Sequence, residues 1–139
     1  MSARFFLDTN VFVYTFDHSA PLKRKRAEQL VAEAMDGQAG VISSQVVQEF
    51  LNVATRKFSP AMKPAEARAY LDTVLIPLCE IFPSAALYQQ TLQIQAETGF
   101  SFYDSLMVAA ALEADCATLY SEDLQHDRRL HGLAIINPF

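Results

Sequence analysis

The chain has 139 residues, a formal net charge of −5, 51% hydrophobic residues and 19% charged residues. This length fits one domain over residues 1–139, the apolar content excludes a disordered protein, and the acidity argues against broad electrostatic attraction to nucleic acid. No apolar run reaches the roughly 18 residues that a membrane-spanning helix needs, and the amino terminus lacks a signal-peptide pattern, so we expect a soluble cytoplasmic protein without membrane partners.

Short apolar runs alternate with longer helical stretches along the chain. Turn or polar residues flank each apolar run, as they flank the buried strands of a parallel sheet. The predicted strands are residues 4–7, 39–42, 79–82, 117–120 and 133–136, and the predicted helices are 22–35, 44–58, 64–76, 84–98 and 104–114. This alternation predicts an α/β domain with a short five-stranded parallel sheet flanked by helices on both faces.

Three of the predicted helices have distinctive positions. Helices 44–58 and 64–76 both lie between the second and third strands, which suggests a projecting helical pair. Helix 104–114, with the sequence DSLMVAAALEA, is apolar almost all round. A helix with apolar residues on every face is typically buried, so we expect this one at the centre of the domain.

Four acidic residues lie next to strand ends or in the first turns of helices. Asp8 and Asp123 follow the first and fourth predicted strands, while Glu49 and Asp104 lie near the starts of helices 44–58 and 104–114. The functional crevice of an open α/β sheet lies beyond the carboxyl ends of its strands, so we expect these side chains to meet there. Carboxylates gathered in one place repel each other unless a cation or protons neutralise them.

Each of these acidic residues also has a purely structural interpretation. Asp8 could form a turn that ends a strand, and Asp123 could cap a short turn. Asp104 stands three residues after Ser101, the spacing of a capping box, and Glu49 could face solvent. These alternatives weaken when the four residues are taken together, because Asp8 and Asp104 lie in strongly apolar surroundings.

Carboxylate ligands without nearby histidine or cysteine favour Mg²⁺, or Mn²⁺, over zinc. We therefore predict catalytic roles for all four acidic residues, with Asp8, Asp104 and Asp123 as metal ligands. Thr9 and Asn10 would support the site with short polar side chains. Such a cation can activate water and neutralise the charge of a phosphodiester during in-line hydrolysis.

Four segments carry a resemblance to a known family. They are LDTNVFVY, SSQVVQEFLNV, FYDSLMVAAALEADCATLYSEDLQ and GLAIINPF, in this order along nearly the whole chain. The chain resembles the PIN-domain ribonucleases, and among them the VapC-like toxins of toxin–antitoxin pairs.

The resemblance implies Mg²⁺-dependent cleavage of RNA by an acidic quartet, which here would be Asp8, Glu49, Asp104 and Asp123. Asn10 and Ser121 would be its supporting polar residues. It also implies a homodimer and a small cognate antitoxin protein that docks near residues 44–76. Asp127 departs from the family pattern, in which glycine is frequent, and we expect it in a loop.

Local basic clusters offer contacts for RNA phosphates, although an ordinary solvated helix surface has the same appearance. The candidate contacts are Lys23, Arg24, Lys25, Arg26, Arg128 and Arg129. The sequence assigns no role to His126 or His131, since neither has a partner at metal-ligand spacing. Cys79 and Cys116 lack the spacing of a metal–thiolate site.

Two other functions compete with the ribonuclease hypothesis. A phosphatase or dehalogenase would use the aspartate after the first strand as a nucleophile, but it would need a second aspartate two positions on, where this chain has Asn10. A non-catalytic module would bind metal at the acidic residues and act only in complex with an antitoxin.

Overall fold

The computed structural model describes residues 3–37 and 39–139, in which one mostly parallel sheet forms the framework. Its strands are β1 (Phe5–Leu7), β2 (Gly40–Ser43), β3 (Cys79–Ile81), β4 (Thr118–Tyr120), β5 (Arg128–Leu130) and β6 (Leu133–Ile136). They lie in the order β3-β2-β1-β4-β6-β5. The first four strands and β6 pair in parallel, which confirms the five predicted strands.

The sixth strand was not predicted from the sequence. β5 pairs antiparallel with β6 at the edge of the sheet, where Leu130 lies opposite Leu133. The connecting turn places His131 and Gly132 at positive φ angles. β5 contains Arg128 and Arg129 and lacks the apolar run of a buried strand, because an edge strand that faces solvent does not need one.

Helices flank the sheet, and every predicted helix is present. They are α1 (Thr9–Tyr14), α2 (Pro21–Gly37), α3 (Ser44–Arg56), α4 (Pro64–Tyr70), α5 (Ile76–Leu78), α6 (Ala85–Thr98) and α7 (Phe102–Glu113). A π-helical turn, Leu71–Leu75, joins α4 to α5. None of the helices in the described part of the chain has the length and apolar character to cross a membrane.

Helix α1 was not predicted, because its apolar and β-branched residues resemble the strand that precedes them. The chain leaves β1 at Leu7, and Asp8 adopts an extended conformation as the N-cap residue of α1. Val11 and Phe12 are then buried on the next turn of helix. The polar break between two apolar runs is therefore a strand-to-helix junction.

The hydrophobic core lies between the sheet and the helices that cover it. Phe6 and Leu7 of β1 are fully buried, and so are Phe12 of α1 and Phe50 of α3, whose rings contact each other edge to face. Helix α7 buries residues 107–111 continuously, which confirms its predicted central position. The acidic residues thus project from elements that the core holds rigidly.

Substituting Gly40 should destabilise this core. A Cβ atom on Gly40 would lie 2.1 Å from Ala34 Cβ and 2.7 Å from Ala34 Cα, so β2 and α2 would have to move apart. We expect Gly40→Ala to lower the free energy of unfolding by about 2 kcal/mol, as overpacked cores do. Urea denaturation measures this difference.

The matched control is Gly37→Ala at the end of α2, where a Cβ atom would meet nothing within 4 Å. This variant should be at least as stable as the parent, since alanine favours helix more than glycine does. Equal stability of the two variants would contradict the close packing of α2 against β2.

Candidate active site

Asp8 is held at the carboxyl end of β1 by hydrogen bonds to both of its carboxylate oxygens. The Thr9 amide donates to Oδ1 at 2.6 Å, and the Ser121 hydroxyl donates to Oδ2 at 2.6 Å. Only 8% of Asp8 is exposed. Because β1 and β4 are parallel neighbours, Ser121, directly after β4, reaches the same rim of the sheet as Asp8.

Glu49 joins this rim from α3. The Thr9 hydroxyl donates to Glu49 Oε1 at 2.6 Å, and Gln45 Nε2 donates to Glu49 Oε2 at 3.1 Å. Gln45 Nε2 also donates to the carbonyl oxygen of Tyr103 at 3.1 Å, directly before Asp104. These bonds connect α1, α3 and the start of α7, and Glu49 is half-buried, so it is not the freely solvated residue of the structural alternative.

Asp123 and Asp104 complete the group. Asn10 Nδ2 donates to Asp123 Oδ2 at 2.7 Å, which ties the loop after β4 to α1. Asp104 lies in the first turn of α7, and its amide donates to the capping hydroxyl of Ser101 at 3.1 Å. The capping interpretation is therefore correct for the Ser101 side chain, while the Asp104 carboxylate belongs to the acidic rim.

Burial and neighbouring carboxylates raise the pKa of two members of this group. Burial raises the pKa of Asp8 to about 6; the hydrogen bonds from Ser121 and Thr9 act in the opposite direction, and the charges of Asp123 and Glu49 add to the rise. Burial also raises the pKa of Asp123, and Glu122, Asp104 and Glu49 contribute to that rise. The structure thus brings Asp8, Glu49, Asp104 and Asp123 together at one rim.

The donor atoms of this rim suit a cation that prefers oxygen. Within residues 3–37 and 39–139, no group of three or more His, Cys, Asp or Glu side chains is arranged to hold a metal ion. Mg²⁺ usually keeps several of its waters and binds proteins through only one or two carboxylates, so it does not require such a group. The carboxylate, hydroxyl and amide oxygens therefore fit a partly hydrated Mg²⁺ ion in their chemistry.

Three of the predicted RNA contacts on α2 have partners within the protein. Lys23 Nζ lies 2.8 Å from Glu122 Oε1, an ion pair that raises the lysine pKa. Arg24 contacts His18 and Glu28, and Arg26 Nε donates to the carbonyl oxygen of Pro138 at 3.3 Å. Lys25 is exposed.

In the second basic cluster, one arginine has partners within the protein and the other is exposed. The Arg128 guanidinium lies 5.1 Å from the centre of the Phe100 ring and donates to Gln125 Oε1 at 3.1 Å. Arg129 is exposed. RNA contact by Lys23 to Arg26 and by Arg128 and Arg129 stays a prediction, and Lys25 and Arg129 are the most accessible of the six.

The remaining polar residues of this region have local contacts. Asp127 lies in the turn before β5 at a φ angle of +62°, and its amide donates to the Ile135 carbonyl at 2.7 Å. The Asn137 amide donates to His126 Nδ1 at 2.9 Å, and His131 Nε2 lies 2.7 Å from Glu97 Oε2. These contacts place Asp127 in a loop, as expected.

Gln45 is a member of the site that was not predicted from the sequence. Its side chain is only 6% exposed and bonds both Glu49 and the backbone beside Asp104. The available signal was its position four residues before Glu49, which places both side chains on one face of a helix.

Comparison with known proteins agrees with this architecture. A family model described as PIN domain matches residues 5–129. No curated protein matches the chain significantly. Among solved structures, a toxin–antitoxin complex from Klebsiella pneumoniae has a TM-score of 0.71 at 19% identity, covering 99% of this chain and 98% of the other.

Two further structures are similar in fold. VapC20 of Mycobacterium tuberculosis, described as a toxin that cleaves the sarcin–ricin loop, has a TM-score of 0.62 at 19% identity, covering 86% of this chain and 89% of that one. DNA-bound VapBC from Salmonella typhimurium has a TM-score of 0.66 at 20% identity, covering 96% and 97%. Because the family model covers all but the two ends of the sequence, the chain belongs to the PIN domain family.

Proposed function

We propose that this protein is a Mg²⁺-dependent endoribonuclease that hydrolyses RNA phosphodiester bonds and acts as the toxin of a toxin–antitoxin pair. The supporting observation is the set of hydrogen bonds that holds carboxylates from distant segments at one rim of a PIN domain: Ser121 and Thr9 bond Asp8, Thr9 also bonds Glu49, and Asn10 bonds Asp123. Burial raises the pKa of Asp8 and of Asp123, and a raised carboxyl pKa is typical of a site that a cation or a substrate neutralises.

Asp8 and Asp104 would hold the cation directly, and Glu49 and Asp123 would hold it through water or help to bind a second ion. When bound, Mg²⁺ or Mn²⁺ would supply charge neutralisation at the scissile phosphate and activation of the attacking water. Thr9 and Ser121 orient the Asp8 carboxylate, and Asn10 orients Asp123. Such supporting hydrogen bonds fix the directions in which ligand oxygens point.

The comparison structures support a small antitoxin protein as partner, since several of them are toxin–antitoxin complexes. This chain has a cavity of about 630 Å³ beside the carboxyl end of α3, between residues 13–19 and residues 53–60. Its lining includes Phe16 and Phe58, whose rings lie 5.3 Å apart, together with Asp17 and Lys57. It is therefore a candidate docking groove for a segment of the antitoxin, in a protein that we propose to be a cytoplasmic homodimer.

The aspartate-nucleophile alternative has less support. Asn10 occupies the position where such an enzyme needs its second aspartate, and the Asn10 amide is bonded to Asp123. Both oxygens of Asp8 accept hydrogen bonds from the protein, which orients them as ligands. A covalent aspartyl adduct trapped on Asp8 would favour this alternative over the nuclease.

Replacing a predicted metal ligand should abolish RNA cleavage without unfolding the protein. We expect Asp8→Asn and Asp104→Asn each to reduce the cleavage of total RNA in the presence of Mg²⁺ by more than about 100-fold. Removing a residue that only orients a metal ligand reduces activity by up to about 100-fold, so removing the ligand itself should reduce it further. End-point gels measure cleavage, and circular dichroism checks the fold.

The matched control is Asp127→Asn, because asparagine tolerates the positive φ angle of that turn. It removes one carboxylate from the loop before β5 and should leave cleavage unchanged. Full activity of purified Asp8→Asn or Asp104→Asn would reject the assignment of the site.

Without metal, Asp8→Asn should be more stable than the parent at pH 7. Burial raises the pKa of Asp8 to about 6 from its ordinary value of 3.8. Between about pH 4 and pH 6, the Asp8 carboxyl is therefore protonated in the folded protein and ionised in the unfolded chain. As the pH rises through this range, the carboxyl of the folded protein loses its proton and the free energy of unfolding falls. The asparagine amide does not ionise, so Asp8→Asn avoids this loss in the free energy of unfolding, which is as much as about 3 kcal/mol.

Urea denaturation in EDTA measures the stability difference between Asp8→Asn and the parent. The difference should be largest at pH 7 and should shrink towards pH 4, where the parent carboxyl is protonated in both states. A difference that stays constant from pH 7 to pH 4 would show that desolvation of Asp8 is not its cause.

Expression of the protein alone should stop bacterial growth if it is a toxin. Asp8→Asn should relieve this arrest, because it removes the metal ligand without removing the docking groove. Colony counts after induction measure the effect, with Asp127→Asn as the toxic control. Arrest that persists with Asp8→Asn would favour a non-catalytic mode of action.

A further inference from the structure

Three consecutive residues after β4 each bond to a different element of the fold. Ser121 donates to Asp8 at the end of β1, and Asp123 accepts a hydrogen bond from α1. Glu122, between them, accepts from Lys23 of α2 at 2.8 Å. The first two bonds orient carboxylates of the acidic rim, whereas Lys23 and Glu122 have no part in the proposed chemistry.

The segment that carries these three residues is anchored to the core at its two ends. Residues 121–124 belong to neither a helix nor a strand. The Ser121 amide donates to the Ile136 carbonyl of β6 at 3.0 Å, and Leu124 is buried. The positions of Glu122 and Asp123, between these ends, therefore depend on their side-chain contacts.

Two aromatic rings contact the Lys23 ammonium. Its nitrogen lies 5.0 Å from the centre of the Tyr14 ring and 5.9 Å from that of the Phe139 ring, and the two ring centres are 4.9 Å apart. The ammonium also donates to the Tyr14 hydroxyl at 3.4 Å. Because cations are attracted to aromatic rings, these contacts give Lys23 a defined position beside Glu122.

The same face of α1 contacts both Asp123 and the ion pair. Asn10, which bonds Asp123, stands four residues before Tyr14, and side chains at this spacing lie on one face of a helix. Burial raises the pKa of Tyr14, and the neighbouring Glu122 carboxylate adds to the rise. Helices α1 and α2 thus hold the segment together, one at Asp123 and both at Glu122.

The ion pair is too exposed to contribute much to stability. The Lys23 side chain is 40% exposed and that of Glu122 is 25% exposed. Ion pairs at such positions add little to the free energy of unfolding, because solvent screens them. A bond from a helix can nevertheless fix where a loop lies, so loss of this pair should move residues 121–123 without unfolding the protein.

We propose that Lys23 and Glu122 are positioning residues of the metal site. Their ion pair holds residues 121–123 where Asp123 and the Asp8 carboxylate bonded by Ser121 can act on the same cation. Lys23 then has a different role from the RNA contact predicted from the sequence. This inference rests on the proposed ribonuclease function and names residues that set its affinity for metal.

Manganese binding tests the positioning without RNA. Electron paramagnetic resonance measures free Mn²⁺ during titration of the full chain, for the parent and for Lys23→Met, which keeps the apolar stem of lysine beside the rings. We expect Lys23→Met to bind Mn²⁺ about tenfold more weakly, the lower end of the effect of removing a residue that supports a metal ligand. Equal or tighter Mn²⁺ binding by Lys23→Met would overturn the proposal.

The direction of this change separates positioning from charge. Loss of a positive charge near a cation site would by itself strengthen cation binding, so weaker binding indicates displaced ligands. Lys25→Met removes the same charge from an exposed position of α2 and should bind Mn²⁺ like the parent. Lys23→Arg should also bind like the parent, because a guanidinium can pair with a carboxylate and stack on aromatic rings.

A double variant tests whether the two residues act as one pair. Lys23→Met combined with Glu122→Ala should bind Mn²⁺ no more weakly than Glu122→Ala alone, since both substitutions remove the same contact. Additive losses of affinity would show that Lys23 acts elsewhere and would contradict the proposal.

NMR of the ¹⁵N-labelled full chain in EDTA examines the segment in the absence of metal. The amide signals of residues 121–124 should shift in Lys23→Met and remain unchanged in Lys25→Met. Unchanged signals of this segment in Lys23→Met would overturn the positioning role.

RNA binding in EDTA separates the proposal from the RNA-contact interpretation of Lys23. Weaker RNA binding by Lys23→Met, with Mn²⁺ affinity unchanged, would assign Lys23 to the RNA and overturn its positioning role. A parent that binds Mn²⁺ and cuts no RNA, while Lys23→Met binds Mn²⁺ more weakly, would support the positioning and reject the nuclease. RNA cleavage by a parent whose Mn²⁺ affinity Lys23→Met does not alter would do the reverse.

Discussion

The hydrogen bond from Ser121 Oγ to Asp8 Oδ2 joins the ends of the parallel neighbours β1 and β4, and the geometry of the acidic rim depends on it. The Thr9 amide fixes the other oxygen of Asp8. Both donors are neutral, so they lower the pKa of Asp8 without cancelling its charge, and burial outweighs them. The fold therefore holds a carboxylate in an environment that disfavours its ionised form, and a cation beside it would stabilise that form.

The supporting hydrogen bonds cross between elements that are distant in sequence. Thr9 contacts Asp8 through its amide and Glu49 through its hydroxyl, so one residue of α1 orients two carboxylates. Gln45 connects Glu49 to the backbone at Tyr103, and Asn10 connects α1 to Asp123. Asp8, Glu49 and Asp123 are thus each positioned by a residue from another segment, which is how a rigid framework orients the side chains of a site.

The distribution of basic side chains has a consequence for RNA binding. Lys23 is paired with Glu122, and Arg26 bonds the Pro138 carbonyl, so these cations join α2 to the loop after β4 and to the last residues of the chain. The groups that act on Asp8 are neutral donors and other carboxylates. In a protein with a net charge of −5, the proposed function would therefore need a bound cation, more than the basic clusters, to attract a phosphate to this rim.

The sequence by itself determined the fold class and the candidate acidic residues. Five strands and the central position of α7 followed from local apolar patterns, since burial leaves a periodic trace in the chain. The charged edge strand β5 and the short helix α1 left no such trace, because one faces solvent and the other continues an apolar run. The meeting of distant segments brings Gln45 into the site and pairs Lys23 with Glu122, and local sequence patterns do not reveal either contact. These features depend on which distant side chains meet, and that is determined by the packing of helices against the sheet.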